Sequence, residues 1–149
     1  MAHTISGLRF SELVLGVLRI HAAVAAEADA LVADLGLTAA RWQVLSLLSN
    51  ATATVPQVAR RLGRSRQAVQ RLADRLVFDG FLTSAANPDH IRSPLFAATE
   101  SGEQVLAVAR RRQERWAEAL AQSFDPKELA TACRVLGSVG DRMTLDGNG

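Results

Sequence analysis

Between positions 60 and 75 the chain sets six arginines (Arg60, Arg61, Arg64, Arg66, Arg71, Arg75) against a single acid, Asp74. Two glutamines, Gln67 and Gln70, stand among them. Arginine can bond O6 and N7 of guanine, and glutamine can bond N6 and N7 of adenine, each through a two-point contact. The apolar residues Val69, Leu72, Ala73 and Leu76 recur at i, i+3, i+4 and i+7, the pattern of one buried helix face. At about 100° per residue, Gln67, Gln70, Arg71 and Asp74 fall on the opposite face. An apolar back and an Arg/Gln front suit a helix that lies in a DNA groove. Ser65 caps this helix and can also donate to a phosphate. Arg66 and Arg71 hold either phosphate or guanine, and the sequence leaves that choice open. A merely solvated polar face is the plainer alternative. The agreement of charge, caps and flanking elements favours DNA contact.

Those flanking elements position the helix. Thr54 opens a preceding helix, and Gln57 three residues later makes a capping box. Val55, Val58, Ala59 and Leu62 form its inner face, and Gly63 stops it in an LGRS turn. Helix, glycine-containing turn and second helix at this spacing predict a helix-turn-helix over residues 54–79. After Gly80 the period changes to two. Residues 81–84 and 95–98 read as the strands of a hairpin, or wing, around the turn-forming Asn87-Pro88-Asp89. Arg92 is the only basic residue of that loop and is expected to contact phosphate or the minor groove.

Four further helices are expected. Residues 6–35 form a long one, capped by Ser6 or Ser11 and stopped by Gly36. Its apolar stripe is wide, which predicts cover on most sides and hence a second subunit. Thr38 caps a helix over 39–49, with Leu37 and Trp42 as a hydrophobic staple. Thr99 caps a long helix over 100–123, where arginines alternate with Glu103, Glu114 and Glu118 as a solvated or salt-bridged face. The run Asp125-Pro126-Lys127-Glu128 starts a last helix reaching about Met143, with Leu129, Cys133, Leu136 and Val139 inside and a frayed TLDGNG tail.

The composition agrees with a small helical, oligomeric domain. The chain has 149 residues, is 48% hydrophobic and carries a net charge of +2. A mean hydropathy of +0.08 is high for its size and suggests apolar surface hidden in an oligomer. Residues 36–99 hold eight arginines and three aspartates, whereas the remainder is net acidic. Positive charge is thus gathered on one part of the fold, as in a polyanion binder. No uncharged apolar run approaches the ~18 residues of a membrane span, and no signal peptide is evident. One cysteine, Cys133, excludes an internal disulfide and suits a reducing cytoplasm. No phosphate loop, nucleophile elbow or paired-carboxylate motif appears, and His3, His21 and His90 are scattered, so neither an enzyme, a cofactor nor a metal is expected.

The order of elements, with the fragments LTAARWQVLSLL, TVPQVARRLGRSRQAVQRLADRLVFDGFL and NPDHIRSPLFAATESG, resembles the MarR family of bacterial winged-helix transcriptional regulators. The likeness is densest over 37–102. It implies a mainly α fold with a winged helix-turn-helix lobe, and a homodimer held by the first, fifth and sixth helices. It assigns 1–36 to an N-terminal dimerisation helix, 37–99 to the DNA-binding lobe and 100–149 to C-terminal dimerisation helices. It further implies a pseudo-palindromic operator and repression relieved by a small aromatic or phenolic anion. The DNA-contact set becomes Arg64, Ser65, Arg66, Gln67, Gln70, Arg71, Arg75 and Arg92. Candidate effector residues are Arg19 and Arg41 for a carboxylate, His21 for a hydrogen bond to the effector or the partner subunit, and Trp42 for stacking; the plainer alternatives are a polar residue at the dimer seam for His21 and a core residue for Trp42. The family wing carries Asp-x-Arg, where the Asp braces a recognition-helix arginine, here Arg75. This chain has His90-Ile91-Arg92, and Asp89 is the available substitute. Val77 and Phe78 are apolar where the family places charge; a pocket, an interface or a simple helix end all remain open. Two rivals stand beside this reading: a winged helix that binds proteins, and a thiol redox switch. Against the switch, Cys133 sits at an apolar helix position and reads as a buried, inert thiol.

Overall fold

The computed structural model describes residues 4–146, with side chains through 143. His3 and the last three residues of the expected frayed tail lie outside the described residues. The elements are α1 (Ile5–Val32), a single 3-10 turn (Ala33–Leu35), α2 (Ala39–Leu47), α3 (Val55–Leu62), α4 (Arg66–Phe78), β1 (Leu82–Ala85), β2 (Leu95–Ala98), α5 (Glu100–Ala121) and α6 (Pro126–Asp146). The fold is mainly helical with one small antiparallel sheet. Among the described residues, no helix is long and apolar enough to cross a membrane. Two compact units divide the chain, one ending at Arg111 and the other starting at Arg112.

Local signals set most helix ends of the first unit. Thr38 Oγ1 accepts from Arg41 N at 3.2 Å, Ser65 Oγ accepts from Ala68 N at 3.2 Å, and Thr99 Oγ1 accepts from Gly102 N at 3.0 Å. Gln57 Oε1 accepts from Thr54 N at 2.8 Å, one half of the capping box. Gly36, Gly63 and Gly80 stop their helices with φ of 73°, 59° and 78°, a left-handed backbone that side chains resist. The cap of α1 is a correction. Thr4 fills that role, accepting from Gly7 N at 3.1 Å, while Ser11 Oγ donates back to the Gly7 carbonyl. Both serines lie inside the helix, so neither has an unbonded first-turn N–H to satisfy.

The core gathers Val32 from the end of α1, Val44, Leu45 and Leu48 around α2, and Val58 from α3. Val69, Ala73 and Leu76 from α4, Phe96 from β2, and Leu106 and Ala109 from α5 join it, with Leu37, Ala53, Val55, Ala59 and Leu82 around them. Leu72, the remaining residue of the expected apolar face, is partly buried against it. The rest of α1 contributes little. Leu15, Leu18 and Ile20 are each more than half exposed.

The wing pairs Leu82 with Ala98 through Ala85 with Leu95. Its first strand begins one residue later than the sequence predicts. Phe81 N donates to the Leu76 carbonyl at 2.8 Å, which commits Phe81 to the stop of α4. The polar segment after α2 also joins the sheet. Ala53 exchanges both backbone bonds with Phe96, at 3.1 and 2.9 Å, so β2 is paired on both edges.

In the second unit, Asp125 Oδ1 caps α6 by accepting from Lys127 N at 2.7 Å and Glu128 N at 3.2 Å. The expected interior of this helix is a correction. Among its described side chains none is buried, and Cys133 is exposed. Leu129 and Leu136 are likewise exposed. Val139 is half-buried, so the unit covers only a small part of the stripe that the apolar spacing marks.

Candidate nucleic-acid interface

Arg66 begins α4 because Ser65, in extended conformation, satisfies one of the free first-turn amides, that of Ala68. The αL glycine at 63 turns the chain between α3 and α4. The buried face of Val69, Ala73 and Leu76 then fixes the rotation of α4. Its front consequently carries Arg66, Gln67, Gln70 and Arg71, all exposed. A groove forms where this front meets the wing. Arg66, Gln67 and Gln70 line one wall, Arg92, Ser93 and Pro94 the other, with Val55 and Pro56 at the start of α3. Residues 26 positions apart, Arg66 and Arg92, thus share one concave surface. No acidic side chain lines it. Such a surface favours a polyanion, and its Gln and Arg heads match base-edge chemistry.

The remaining predicted contacts are engaged differently. Gln70 Nε2 donates to Asp74 Oδ1 at 2.8 Å, one turn along the helix. That bond engages the amide nitrogen that a two-point adenine contact would also use. Arg64 Nη2 donates to Gln43 Oε1 on α2 at 3.3 Å, tying the turn to the lobe. Arg71 stands exposed on the front.

Arg75 overturns the expected wing brace. Its Nε donates to Asp79 Oδ2 at 3.0 Å, and its guanidinium lies 5.1 Å from the centre of the Phe78 ring. Asp79 lies one turn along the same helix, whereas Asp89 sits in the wing, where its N–H donates to Asn87 Oδ1. The nearer carboxylate wins because the pair is preset by helix geometry. Phe78 is 80% exposed, so its outer face is free to carry the guanidinium.

Asp79 Oδ2 also accepts from Arg41 Nη1 at 3.0 Å. Both side chains of that pair are only 18% exposed. Arg41 is therefore already engaged, and a ligand carboxylate at Arg41 would compete with Asp79. Trp42 packs on the core with its indole Nε1 buried and without an acceptor. Arg19 and His21 are exposed on α1, about 200° apart around the helix.

Sequence reasoning missed three supports of this surface. Asn87 is buried and shapes the wing loop, although its Asn-Pro-Asp context did signal a turn. Ala53 anchors β2 from outside the hairpin. Glu103, expected on a solvated or salt-bridged face, accepts from Ser49 Oγ at 2.7 Å and Asn50 N at 3.1 Å. It thereby holds the left-handed turn at Asn50, whose φ is 56°.

Comparison with known proteins agrees with this architecture. A model of the MarR family matches residues 35–93. Uncharacterized proteins of Mycobacterium tuberculosis and Mycobacterium bovis are each 41% identical over 119 residues, spanning 80% of this chain and 83% of theirs. A MarR family transcriptional regulator from Streptomyces coelicolor superimposes with a TM-score of 0.74 at 25% identity, covering 91% of this chain and 98% of its own. A mutant MarR from E. coli complexed with operator DNA matches with a TM-score of 0.70 at 25% identity, over 85% of this chain and 94% of its own. A further MarR family transcription regulator reaches a TM-score of 0.81 at 21% identity, with 95% of both chains covered. The residues matched by the family model hold the helix-turn-helix and the first part of the wing, and the protein belongs to the MarR family of transcription regulators.

Proposed function

We propose that this chain is a homodimeric repressor that binds a pseudo-palindromic operator and releases it on binding a small aromatic or phenolic acid. The observation that carries the DNA half is the groove shared by Arg66, Gln67, Gln70 and Arg92, free of acidic lining. Each α4 enters a major groove, and twofold symmetry sets the two helices about 34 Å apart. Arg64, Arg71 and Arg92 supply salt-dependent affinity through phosphates. Gln67, Gln70 and Arg66 read bases. Ser65 donates to the backbone beside them. Arg75 keeps its Nε bond to Asp79 and offers its Nη donors to phosphate. The operator complex of the E. coli MarR mutant supports the DNA reading.

The dimer reading rests on exposed apolar surface. Leu15, Leu18 and Ile20 of α1 and Leu129 and Leu136 of α6 are uncovered in one chain, and a second copy gives them cover. On this reading residues 1–36 and 100–149 hold the dimer and 37–99 bind DNA, and Cys133 is shielded by the dimer. The effector reading rests on Trp42. An acceptor on a ligand or on the other subunit would satisfy its indole N–H. Arg19 and His21 remain candidate effector contacts from opposite sides of α1. A ligand acts by favouring a lobe spacing that no longer fits the operator, which requires different affinity for the two spacings.

Arg71→Ala tests the assignment. Operator affinity at physiological salt should fall about tenfold while the dimer is retained, with a shallower salt dependence. Unchanged affinity for the cognate duplex would show that the front of α4 does not lie against DNA.

A further inference from the structure

The loop between β1 and β2 is built around one buried side chain. Asn87 is 7% exposed. Its Nδ2 donates to the Ser93 carbonyl at 3.0 Å, and its Oδ1 accepts from Asp89 N at 3.0 Å. Its carbonyl accepts from His90 N at 3.3 Å. Ser93 N then donates to the His90 carbonyl at 2.9 Å, closing a turn over His90, Ile91, Arg92 and Ser93. Ile91 and Arg92 occupy its two central positions and so form the tip. The wing is thus braced from inside by an amide, without a carboxylate reaching to α4.

The tip has a mixed character. Arg92 faces the groove with Arg66, Gln67 and Gln70. Ile91 is 96% exposed, more than any other large apolar side chain among the described residues. An isoleucine fixed in water on a braced turn forgoes the burial that such a side chain gains elsewhere. Its neighbour in sequence lines the proposed DNA surface, so DNA is the surface placed to cover it. With α4 in a major groove, a wing projecting beside it meets the adjacent minor groove. There, A·T pairs show only acceptors on the floor, whereas G·C adds the guanine N2 amino group. An aliphatic side chain against that amino group buries a donor with no acceptor, which is unfavourable.

We infer that Ile91 is an apolar minor-groove contact, set in place by Asn87, which selects A·T over G·C under the wing tip. Arg92 adds to the preference, because narrow A·T minor grooves attract cations. The proposal rests on the DNA-binding reading above and adds a specificity determinant to it.

The test uses the full-length protein and the duplex it selects from a randomised library of about 30 base pairs, read by fluorescence anisotropy. Selected duplexes should be A·T-rich under both wing tips. Replacing those pairs with G·C should weaken wild-type binding about tenfold. Replacing them with inosine·C, which keeps the major-groove face of G·C but lacks the N2 amino group, should restore most of it. Ile91→Ala should discriminate A·T from G·C less than about threefold, because the apolar contact is lost. Asn87→Ala should blunt discrimination similarly, with folding checked by thermal melting. Full discrimination in Ile91→Ala would overturn the inference, as would an inosine·C duplex bound as poorly as G·C. A wild type that selects a duplex but is indifferent to the flanks overturns this inference alone. A wild type that selects no duplex overturns the DNA-binding reading with it.

Discussion

Gly102→Ala in α5 is a substitution whose sign depends on whether one reads the helix or the tertiary structure. By helix propensity alone, alanine in place of glycine stabilises by up to about 1 kcal/mol. The surroundings reverse this. A Cβ at position 102 would run into the carbonyl oxygen of Phe81 and stand 3.3 Å from Leu45 Cδ1. Backbone cannot swing aside as a side chain can. The start of α5 would have to move off the wing, and three bonds converge there. Thr99 N donates to the Phe81 carbonyl at 3.0 Å, Thr99 Oγ1 donates to the Gly80 carbonyl at 2.6 Å, and Gly102 N donates to Thr99 Oγ1 at 3.0 Å. Losing one of these costs about 1 kcal/mol, and overpacking at a buried contact costs about 1–3 kcal/mol. After subtracting the propensity gain, Gly102→Ala should destabilise by roughly 1–3 kcal/mol. Urea unfolding followed by far-UV circular dichroism measures this, at one protein concentration because the proposed dimer would link stability to concentration. The midpoint should fall with the slope unchanged. A variant as stable as the wild type, or more so, refutes the close approach of α5 to Phe81.

Two other perturbations probe the lobe and the dimer. Asp79→Ala strands the part-buried Arg41 and frees Arg75; the Arg41 bond should contribute about 2 kcal/mol and the exposed Arg75 bond under 1. The same variant removes an acid from the basic lobe, so binding to a random duplex at low salt should tighten; weaker binding would show that the clasp holds α4 in its reading pose. Leu18→Glu or Leu136→Glu places a charge on an exposed apolar helix face of α1 or α6. Either should sediment as a monomer with helix content retained, and a persistent dimer would assign the interface elsewhere.

Much of this fold was legible in the sequence because its determinants are local. Thr38, Ser65, Thr99 and Asp125 each cap a helix through a bond spanning two or three residues. Gly36, Gly63 and Gly80 stop helices through their own backbone freedom. The front of α4 followed from the period of its apolar back, which places Gln67, Gln70, Arg71 and Asp74 on the exposed face. What stayed hidden depends on partners far along the chain. Arg41 meets Asp79 across 38 positions, and Ser49 meets Glu103 across 54. Ala53 joins Phe96 by backbone bonds alone, which no side chain announces.

Two readings mark the boundary. The sequence supplied Arg75 with an acid partner in the wing, but only the packed lobe decided that Asp79 holds it. One carboxylate within reach of two guanidiniums on neighbouring helices outcompetes a loop carboxylate. For Cys133 the sequence determined an apolar helix position, and the structure left that position exposed in a single chain. Periodicity says that a face prefers cover. Which surface provides the cover is settled by tertiary and quaternary packing, because the hydrophobic effect has no direction.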